Sequence, residues 1–112
     1  MDCIFCKIIN GEIPSDKIYE DDNVVCFRDI APKAPVHVLV VPKKHIPNII
    51  EAAQDKEILN HVSSAIAQIT KKLGVDKSGF RTVVNTGKDG GQTVDHLHFH
   101  ILAGKTFGED FG

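Results

Sequence analysis

Three histidines alternate with large apolar residues in the segment His96-Leu97-His98-Phe99-His100-Ile101-Leu102. Side chains of a strand point alternately to its two faces, so a strand over His96–Ala103 would place all three imidazoles on one face. Leu97, Phe99 and Ile101 would then anchor the other face in a core. A solvated strand face usually carries mixed Lys, Glu, Thr and Ser, whereas imidazole suits nucleophilic, acid–base or metal chemistry near neutral pH. The segment therefore predicts a functional site on one face of a strand.

The rest of the composition limits what that site can serve. The 112 residues predict one domain, 1–112, and the net charge of −2 gives no basic surface for a nucleic-acid polymer. No apolar run approaches the ~20 residues that span a membrane, and Lys7 interrupts the apolar N-terminal residues where a signal peptide would need continuity. Three cysteines fit reduced thiols better than a disulfide framework. We therefore expect a small, soluble, cytoplasmic domain.

β-branched runs and turn residues predict five strands. Lys17–Glu20 and Val24–Asp29 flank a short turn, and Val36–Val41 follows a stiff proline-containing loop and stops before Pro42. The last two predicted strands are Phe80–Asn85 and His96–Ala103.

Two segments predict helices. Residues 55–73 place apolar side chains at helical spacing, with Asp55 before them and Gly74 after them as a stop signal. Residues 2–10 form a short amphipathic segment of one or two turns. Together these elements predict an α+β domain, in which an antiparallel meander carries one long helix on a face and has a short N-terminal helix.

A glycine-rich stretch, Gly87–Thr93, links the last two predicted strands. Its glycines would allow backbone N–H groups to turn toward an anion, and Thr93 adds a hydroxyl. The stretch does not match a Walker A loop, and a glycine-rich hairpin loop is the default interpretation. Because it leads directly into the histidines, we favour a phosphate-binding loop.

Cys3 and Cys6 form a Cys-x2-Cys pair that could bind zinc, carry out redox exchange or be incidental. A thioredoxin-like motif would need a preceding strand, for which there is no sequence before Cys3. A four-coordinate zinc site needs two further ligands, and His45 and His96 are candidates. These spare histidines favour zinc.

The segment His96–Leu102 resembles the signature of the histidine triad (HIT) superfamily of nucleotide hydrolases and transferases. Further blocks along the chain resemble its Hint branch, the purine nucleoside phosphoramidases: Ile4–Ile9, Glu12–Pro14, Tyr19–Asp22, Asp29–Ile30, Ala34–His37, Val41–His45 and Asn85–Thr93. The resemblance implies a HIT-like fold over nearly the whole chain.

The resemblance also implies a role for each histidine of the site. His98 would be the nucleophile that attacks the α-phosphorus of a purine nucleoside monophosphate derivative, leaving a nucleotidyl-imidazole for water to hydrolyse. A backbone carbonyl can hold the other ring nitrogen of such a histidine as a donor. His100 and His37 would contact the phosphate, although His37 on its apolar strand would otherwise be interpreted as a core histidine.

Nucleotide contacts follow from the same resemblance. Phe5, Ile8, Phe27 and Ile30 would line the base pocket, and Asp29 would hold the ribose hydroxyls. The phosphate side would be formed by Asn85, Gly91, Gln92 and Thr93, with the Thr93 hydroxyl near the leaving group. From the residues alone, Phe5, Ile8 and Phe27 would be core.

The resemblance further implies a structural zinc ion on Cys3, Cys6, His45 and His96, chemistry that needs no metal, and a homodimer. The alternative functions are dinucleoside polyphosphate hydrolysis or nucleotidyl transfer, and a nucleotide-binding interaction module with vestigial activity.

Overall fold

The computed structural model describes residues 3–111. Within that range the chain forms three helices and five strands, in the order α1 (Ile4–Ile9), β1 (Lys17–Glu20), β2 (Val24–Arg28), β3 (Val36–Pro42), α2 (Ile49–Ala52), α3 (Lys56–Lys72), β4 (Arg81–Val83) and β5 (Phe99–Ala103). None of the helices described is long and apolar enough to cross a membrane.

The five strands form one antiparallel sheet in the order β1-β2-β3-β5-β4. The predicted α+β class is confirmed, and the first three strands form the predicted meander. The order then departs from a simple meander, because the chain crosses one face of the sheet through α3 and returns at the far edge as β4. As a result β5 pairs with a strand on each side, which brings His100 beside β3.

One face of the sheet is closed by α3. Asp55 caps this helix, because its Oδ1 accepts the N–H of Glu57 at 3.1 Å, and the prediction over 55–73 is confirmed to within one residue at each end. The helix buries an aliphatic stripe formed by Ile58, Val62, Ala65 and Ile69. Apolar side chains of the sheet complete this core: Val24, Cys26, Val38, Val40, Leu97, Phe99 and Ile101.

The opposite face is covered in part by α1. This six-residue helix buries only Phe5 and Ile8, which pack against Val25, Phe27, Leu39 and Val41 of the sheet. It is shorter than the predicted 2–10, of which residue 2 lies outside the described range. Since even-numbered residues from His96 onward point to this face, the imidazoles lie on the same side as α1.

Two predicted strands have different ends in the structure. β5 begins at Phe99 rather than His96, because the carbonyls of Pro42 and His96 accept imidazole N–H groups and the 96–98 backbone leaves the ladder. β4 covers only Arg81–Val83 of the predicted Phe80–Asn85, since its partner strand offers a short ladder that ends near His100. The alternation of faces nevertheless continues through residues 96–98, with Leu97 in the α3 core.

Smaller differences affect β2, β3 and α2. β2 ends one residue before the predicted Asp29, and β3 extends one residue beyond Val41 to include Pro42. The single-turn helix α2 was not anticipated from the sequence; Asn48 caps it by accepting the N–H groups of Ile50 and Glu51.

Candidate active site

His98 is buried, and its ring is held by a single directional contact. Nδ1 lies 2.7 Å from the carbonyl oxygen of His96. A carbonyl can only accept, so Nδ1 carries the proton and Nε2 of the neutral ring keeps its lone pair. The ring packs edge-on against Phe5 and His100, with centroids 5.0 and 5.1 Å away. This tautomer is the one that a nucleophilic Nε2 requires.

His37 and His100 lie diagonally across the β3–β5 pair and touch through their rings. His37 Nε2 is 2.9 Å from His100 Nδ1 and 3.4 Å from Asp29 Oδ2. Burial lowers the pKa of His37, and it lowers the pKa of His100 to about 4, with further lowering by the nearby His98 and His37. Both rings are therefore neutral at pH 7 and can act as hydrogen-bond donors without carrying a charge.

A cavity of about 490 Å³ opens between α1 and the sheet. It is lined by all five residues predicted for the base and ribose: Phe5, Ile8, Phe27, Asp29 and Ile30. The first three are also buried core residues, so they belong to the core and line the cavity at the same time. The side chain of Ile30 is fully exposed at the mouth of the cavity. Leu39, Ile13 and Pro14 also line the cavity and were missed, although Leu39 shares a strand face with His37 two residues away, and Ile13 and Pro14 lie in a block that resembles the family.

A second cleft of about 330 Å³ lies beside the histidine pair. Its walls include the predicted residues Asp29, His37, Asn85 and His100. Asp29 lines both this cleft and the larger cavity. The carboxylate of Asp29 thus stands between the larger apolar cavity and the cleft that contains the histidine pair.

The glycine-rich loop uses several of its N–H groups internally. The N–H of Gly91 bonds the carbonyl of Lys88 at 3.1 Å, that of Gln92 bonds the carbonyl of Gly87 at 3.0 Å, and that of Gly87 donates to Gln92 Oε1 at 3.0 Å. The N–H groups of Gly87 and Gly91 are therefore bonded inside the loop in this structure. Only glycine fits at position 90, because a Cβ atom there would lie 2.4 Å from the carbonyl oxygen of Thr86 and clash with it.

Gln92 also fastens the loop to the rest of the fold. Its Nε2 donates to the carbonyls of Pro47 at 2.6 Å and Val94 at 2.9 Å. Thr93 follows it with an exposed side chain. Neither cavity has Gly91, Gln92 or Thr93 among the described residues that line it, so their phosphate roles stay predictions.

Cys3, Cys6, His45 and His96 converge as predicted from three separate places in the chain. Their ligand atoms all lie within 4.8 Å of one another. His45 Nδ1 is 3.3 Å from Cys6 Sγ and 3.1 Å from His96 Nδ1, and Cys3 Sγ is 3.4 Å from His96 Nδ1. Nε2 of His96 donates to the Pro42 carbonyl at 2.8 Å, which turns the Nδ1 lone pair toward the thiols. The four residues form a group that could hold a metal ion.

The electrostatics of this cluster are consistent with a cation. Burial and the neighbouring Cys3 raise the pKa of the Cys6 thiol, so the thiolate is disfavoured when no positive charge is near. Burial likewise lowers the pKa of His96 and keeps that ring neutral. A bound metal ion would stabilise both thiolates and use the two imidazole lone pairs.

Comparisons with known proteins agree with this geometry. The HIT domain family matches residues 10–107. The purine nucleoside phosphoramidase of Escherichia coli K12 is 42% identical over 106 residues, which cover 94% of this chain and 89% of that protein. A histidine triad protein from Clostridium difficile superposes with a TM-score of 0.94 at 54% identity, covering 99% of this chain and 97% of that one. A HIT family hydrolase from Legionella pneumophila superposes with a TM-score of 0.92 at 40% identity, covering 96% and 97%.

An antiparallel sheet with one long helix on a face, and with the imidazoles of residues 96–100 on the other, is the architecture that this chain shares with the histidine triad protein from Clostridium difficile. The chain belongs to the HIT family and is a hydrolase of that family.

Proposed function

We propose that this hydrolase cleaves phosphoramidate or related bonds at the α-phosphate of purine nucleoside monophosphate derivatives, through a nucleotidyl intermediate on His98. The observation that carries the proposal is the fixed tautomer of His98, whose Nδ1–H is held by the His96 carbonyl at 2.7 Å. Its Nε2 lone pair is then free to attack phosphorus. The 42% identity to the Escherichia coli purine nucleoside phosphoramidase supports the substrate class.

The reaction runs in two displacements at phosphorus. In the first, His98 Nε2 forms a bond to the α-phosphorus while the bond to the leaving nitrogen breaks, and that nitrogen departs with the electron pair and takes up a proton. In the second, water attacks the phosphorus and releases one proton, which balances the proton taken up by the leaving nitrogen; the P–Nε2 bond breaks with its electron pair returning to Nε2, and the nucleoside monophosphate is released. Covalent catalysis of this kind replaces one difficult step with two easier ones. His100 donates a hydrogen bond to a phosphate oxygen, where charge develops, and His37 supports His100 through the contact between His37 Nε2 and His100 Nδ1 at 2.9 Å.

The cavity and the cleft supply the binding contacts for such a substrate. The apolar walls formed by Phe5, Ile8 and Phe27 suit a purine, with Ile30 at the mouth of the cavity. We assign the ribose hydroxyls to Asp29, because that carboxylate lines both spaces. On the phosphate side we assign Asn85, Gly91, Gln92 and Thr93, with the Thr93 hydroxyl bonded to the leaving group.

We further propose that Cys3, Cys6, His45 and His96 bind zinc in a structural site. Zn–S bonds of about 2.3 Å and Zn–N bonds of about 2.0–2.1 Å in a tetrahedron imply S···N and N···N separations of about 3.6 and 3.4 Å. The separations in this cluster, from 3.1 to 3.6 Å, are close to those values. Four protein ligands leave no open position, so the metal would fasten α1 to the sheet and the chemistry would belong to the histidines on the other side of Phe5.

We also propose a homodimer built in part on the β4 edge. β4 is an edge strand of the sheet, and the large apolar side chain of Phe80, which directly precedes it, is 37% exposed. An edge strand with apolar neighbours is a usual place for pairing across a two-fold axis. Sedimentation at micromolar concentration should give twice the 12.3 kDa mass of the chain, and a stable monomer would contradict the proposal.

Residues 1–112 are proposed to form one HIT domain, since the family match extends over 10–107 and the described strands share one sheet. A cytoplasmic location is proposed from the three cysteines, which form no disulfide.

The decisive experiment measures kcat/KM for adenosine and guanosine phosphoramidates with a panel of leaving amines, beside a dinucleoside polyphosphate. Preference for a phosphoramidate, together with an acid-quenched adduct on the peptide containing His98, is the expected result. Preference for the dinucleoside polyphosphate would instead indicate a dinucleoside polyphosphate hydrolase. Tight binding of the nucleoside monophosphate with no turnover of any substrate would indicate a binding module.

A further inference from the structure

The loop between β2 and β3 donates a main-chain hydrogen bond to a histidine of the site. The main-chain N–H of Lys33 donates to Nδ1 of His37 at 3.0 Å. Asp29 Oδ1 accepts the N–H of Ala31 at 2.8 Å, and Pro32 and Pro35 restrict the backbone on either side of Lys33. The Lys33 amide is thus aimed at one ring nitrogen by a stiff loop.

That single bond determines the proton positions of two rings. An N–H can only donate, so Nδ1 of His37 must carry a lone pair, and the neutral ring holds its proton on Nε2. The nearer acceptor for this Nε2–H is Nδ1 of His100, at 2.9 Å, and Asp29 Oδ2 lies farther away at 3.4 Å. Nδ1 of His100 is then also an acceptor, and the neutral His100 ring carries its proton on Nε2.

The charge state of the pair agrees with this chain of hydrogen bonds. The groups that face the two rings are Asp29, the Lys33 side chain and His98, and burial outweighs the attraction of Asp29 in lowering the pKa of both histidines. Both rings are therefore neutral at pH 7, which is the condition under which a tautomer is defined.

We propose that the main-chain N–H of Lys33 is a positioning group that holds His37 and His100 in their Nε2–H tautomers. His98 has the opposite tautomer, because its Nδ1–H bonds the His96 carbonyl. Two histidines of one segment, only two residues apart, thereby present different atoms: a lone pair on His98 and an N–H on His100. The consequence for catalysis rests on the proposed function, since an Nε2–H on His100 is useful where a phosphate oxygen gains charge.

The role belongs to the backbone and not to the lysine side chain. Every residue except proline has the same main-chain N–H, so the amino-acid type at position 33 does not reveal this hydrogen bond. A variant that tests this role must therefore remove the main-chain N–H itself. Replacing the amide at Lys33 with an ester, through the α-hydroxy acid analogue of lysine, removes the donor and leaves the side chain in place.

The test reads tautomers directly by long-range ¹H–¹⁵N NMR of protein labelled at histidine, at about pH 7.5, where neutral rings dominate. In the unmodified protein we expect His37 and His100 in the Nε2–H form and His98 in the Nδ1–H form. In the ester variant at Lys33 we expect a mixture of tautomers at His37 and His100, with His98 unchanged. We expect kcat to fall about 3- to 10-fold, the range that loss of one hydrogen bond produces, with little change in KM.

Two controls separate this role from a general effect of the loop. An ester at Ala34 removes the next N–H, which has no hydrogen bond among residues 3–111, and should preserve both tautomers and kcat. Lys33→Ala keeps the N–H and should preserve the tautomer pattern. Lys33→Pro also removes the N–H and should reproduce the tautomer mixture of the ester variant.

An Nδ1–H form of His37 in the unmodified protein, or an unchanged pattern in the Lys33 ester variant, would overturn the proposal. A shifted pattern with unchanged kcat would refute its catalytic part. If no nucleotide derivative is hydrolysed by the unmodified protein, the proposed function fails, while the NMR result still decides the tautomers.

Discussion

The two faces of the sheet differ in how they are closed. On one face the 17-residue helix α3 covers an aliphatic core, whereas on the other the six-residue α1 buries only Phe5 and Ile8 and leaves a cavity of about 490 Å³. The histidines of the site, the thiols of Cys3 and Cys6 and both cavities lie on the second face. A dry, continuous core on one side provides the stability that allows the other side to keep polar groups and empty space. The comparison predicts that changes on the two faces will affect different properties.

The largest effect is expected at the centre of the α1 face. His98→Asn removes the nucleophile while keeping a polar side chain of similar size, so kcat should fall on the order of 10³-fold or more with nucleotide binding retained. Steady-state kinetics and calorimetric titration with a nucleoside monophosphate measure the two quantities. His61→Asn, on α3, is the matched control. Wild-type kcat in His98→Asn, or an adduct on His96 or His100, would contradict the mechanism.

The α3 face should respond in stability instead. Ile69 is 1% exposed, so Ile69→Ala should lower the free energy of unfolding by about 2–5 kcal/mol through lost burial and a residual cavity. The folded fraction should keep kcat within about twofold, since α3 covers the face of the sheet opposite the imidazoles of the site. Ile50→Ala is the control, because that side chain is 68% exposed and its loss should cost less than about 0.5 kcal/mol. Urea denaturation of both variants measures the difference.

An intermediate effect is expected at the cluster of Cys3, Cys6, His45 and His96, which joins α1 to the rest of the fold. We expect about one zinc ion per chain after purification without chelators, and Cys3→Ser should lower both the metal content and the melting temperature. Zinc-finger peptides gain roughly 10–16 kcal/mol from the metal, but this fold has its own core and should gain far less. Elemental analysis compares Cys3→Ser with Cys26→Ala, which should keep its metal because Cys26 lies in the α3 core. Metal-free wild-type protein would refute the assignment of the site.

The smallest effect concerns the pH dependence of stability. The pKa of His100 is about 4 in the folded protein against 6.5 for an unperturbed histidine. The unfolded chain therefore binds a proton between these values that the folded protein does not, so stability falls as the pH is lowered from 6.5 toward 4. His100→Asn should flatten this slope in urea titrations, by more than His61→Asn does. An equal slope in wild type and His100→Asn would show that His100 does not contribute.

The local elements followed from the sequence because their signals are local. The spacing of Leu97, Phe99 and Ile101 predicted which side chains enter the core, and the caps of α3 predicted its ends. The Cys-x2-Cys pair and two spare histidines predicted the metal-type cluster. The order of the last two strands was not predicted, because it depends on where α3 delivers the chain and not on the propensity of either strand.

In two places near the site, backbone groups bond to partners other than those that the sequence pattern suggests. The strand over His96–Ala103 begins only at Phe99, and the N–H groups of Gly87 and Gly91 bond within their own loop. In each place a side chain or a turn competes successfully for a backbone group that the pattern alone assigned elsewhere. Periodicity shows which face a side chain takes, but it does not show which partner a particular N–H or carbonyl will find.

The sequence by itself determined that three imidazoles share one face of this chain, that an aliphatic core lies behind them, and which family the pattern resembles. Only the tertiary structure decided what each imidazole can do. His37 and His100 are 63 residues apart, and the Lys33 N–H reaches one of them through a loop whose path depends on both flanking strands. A tautomer is set by the direction of a donor or acceptor at each ring nitrogen, and that direction exists only once distant segments are packed together.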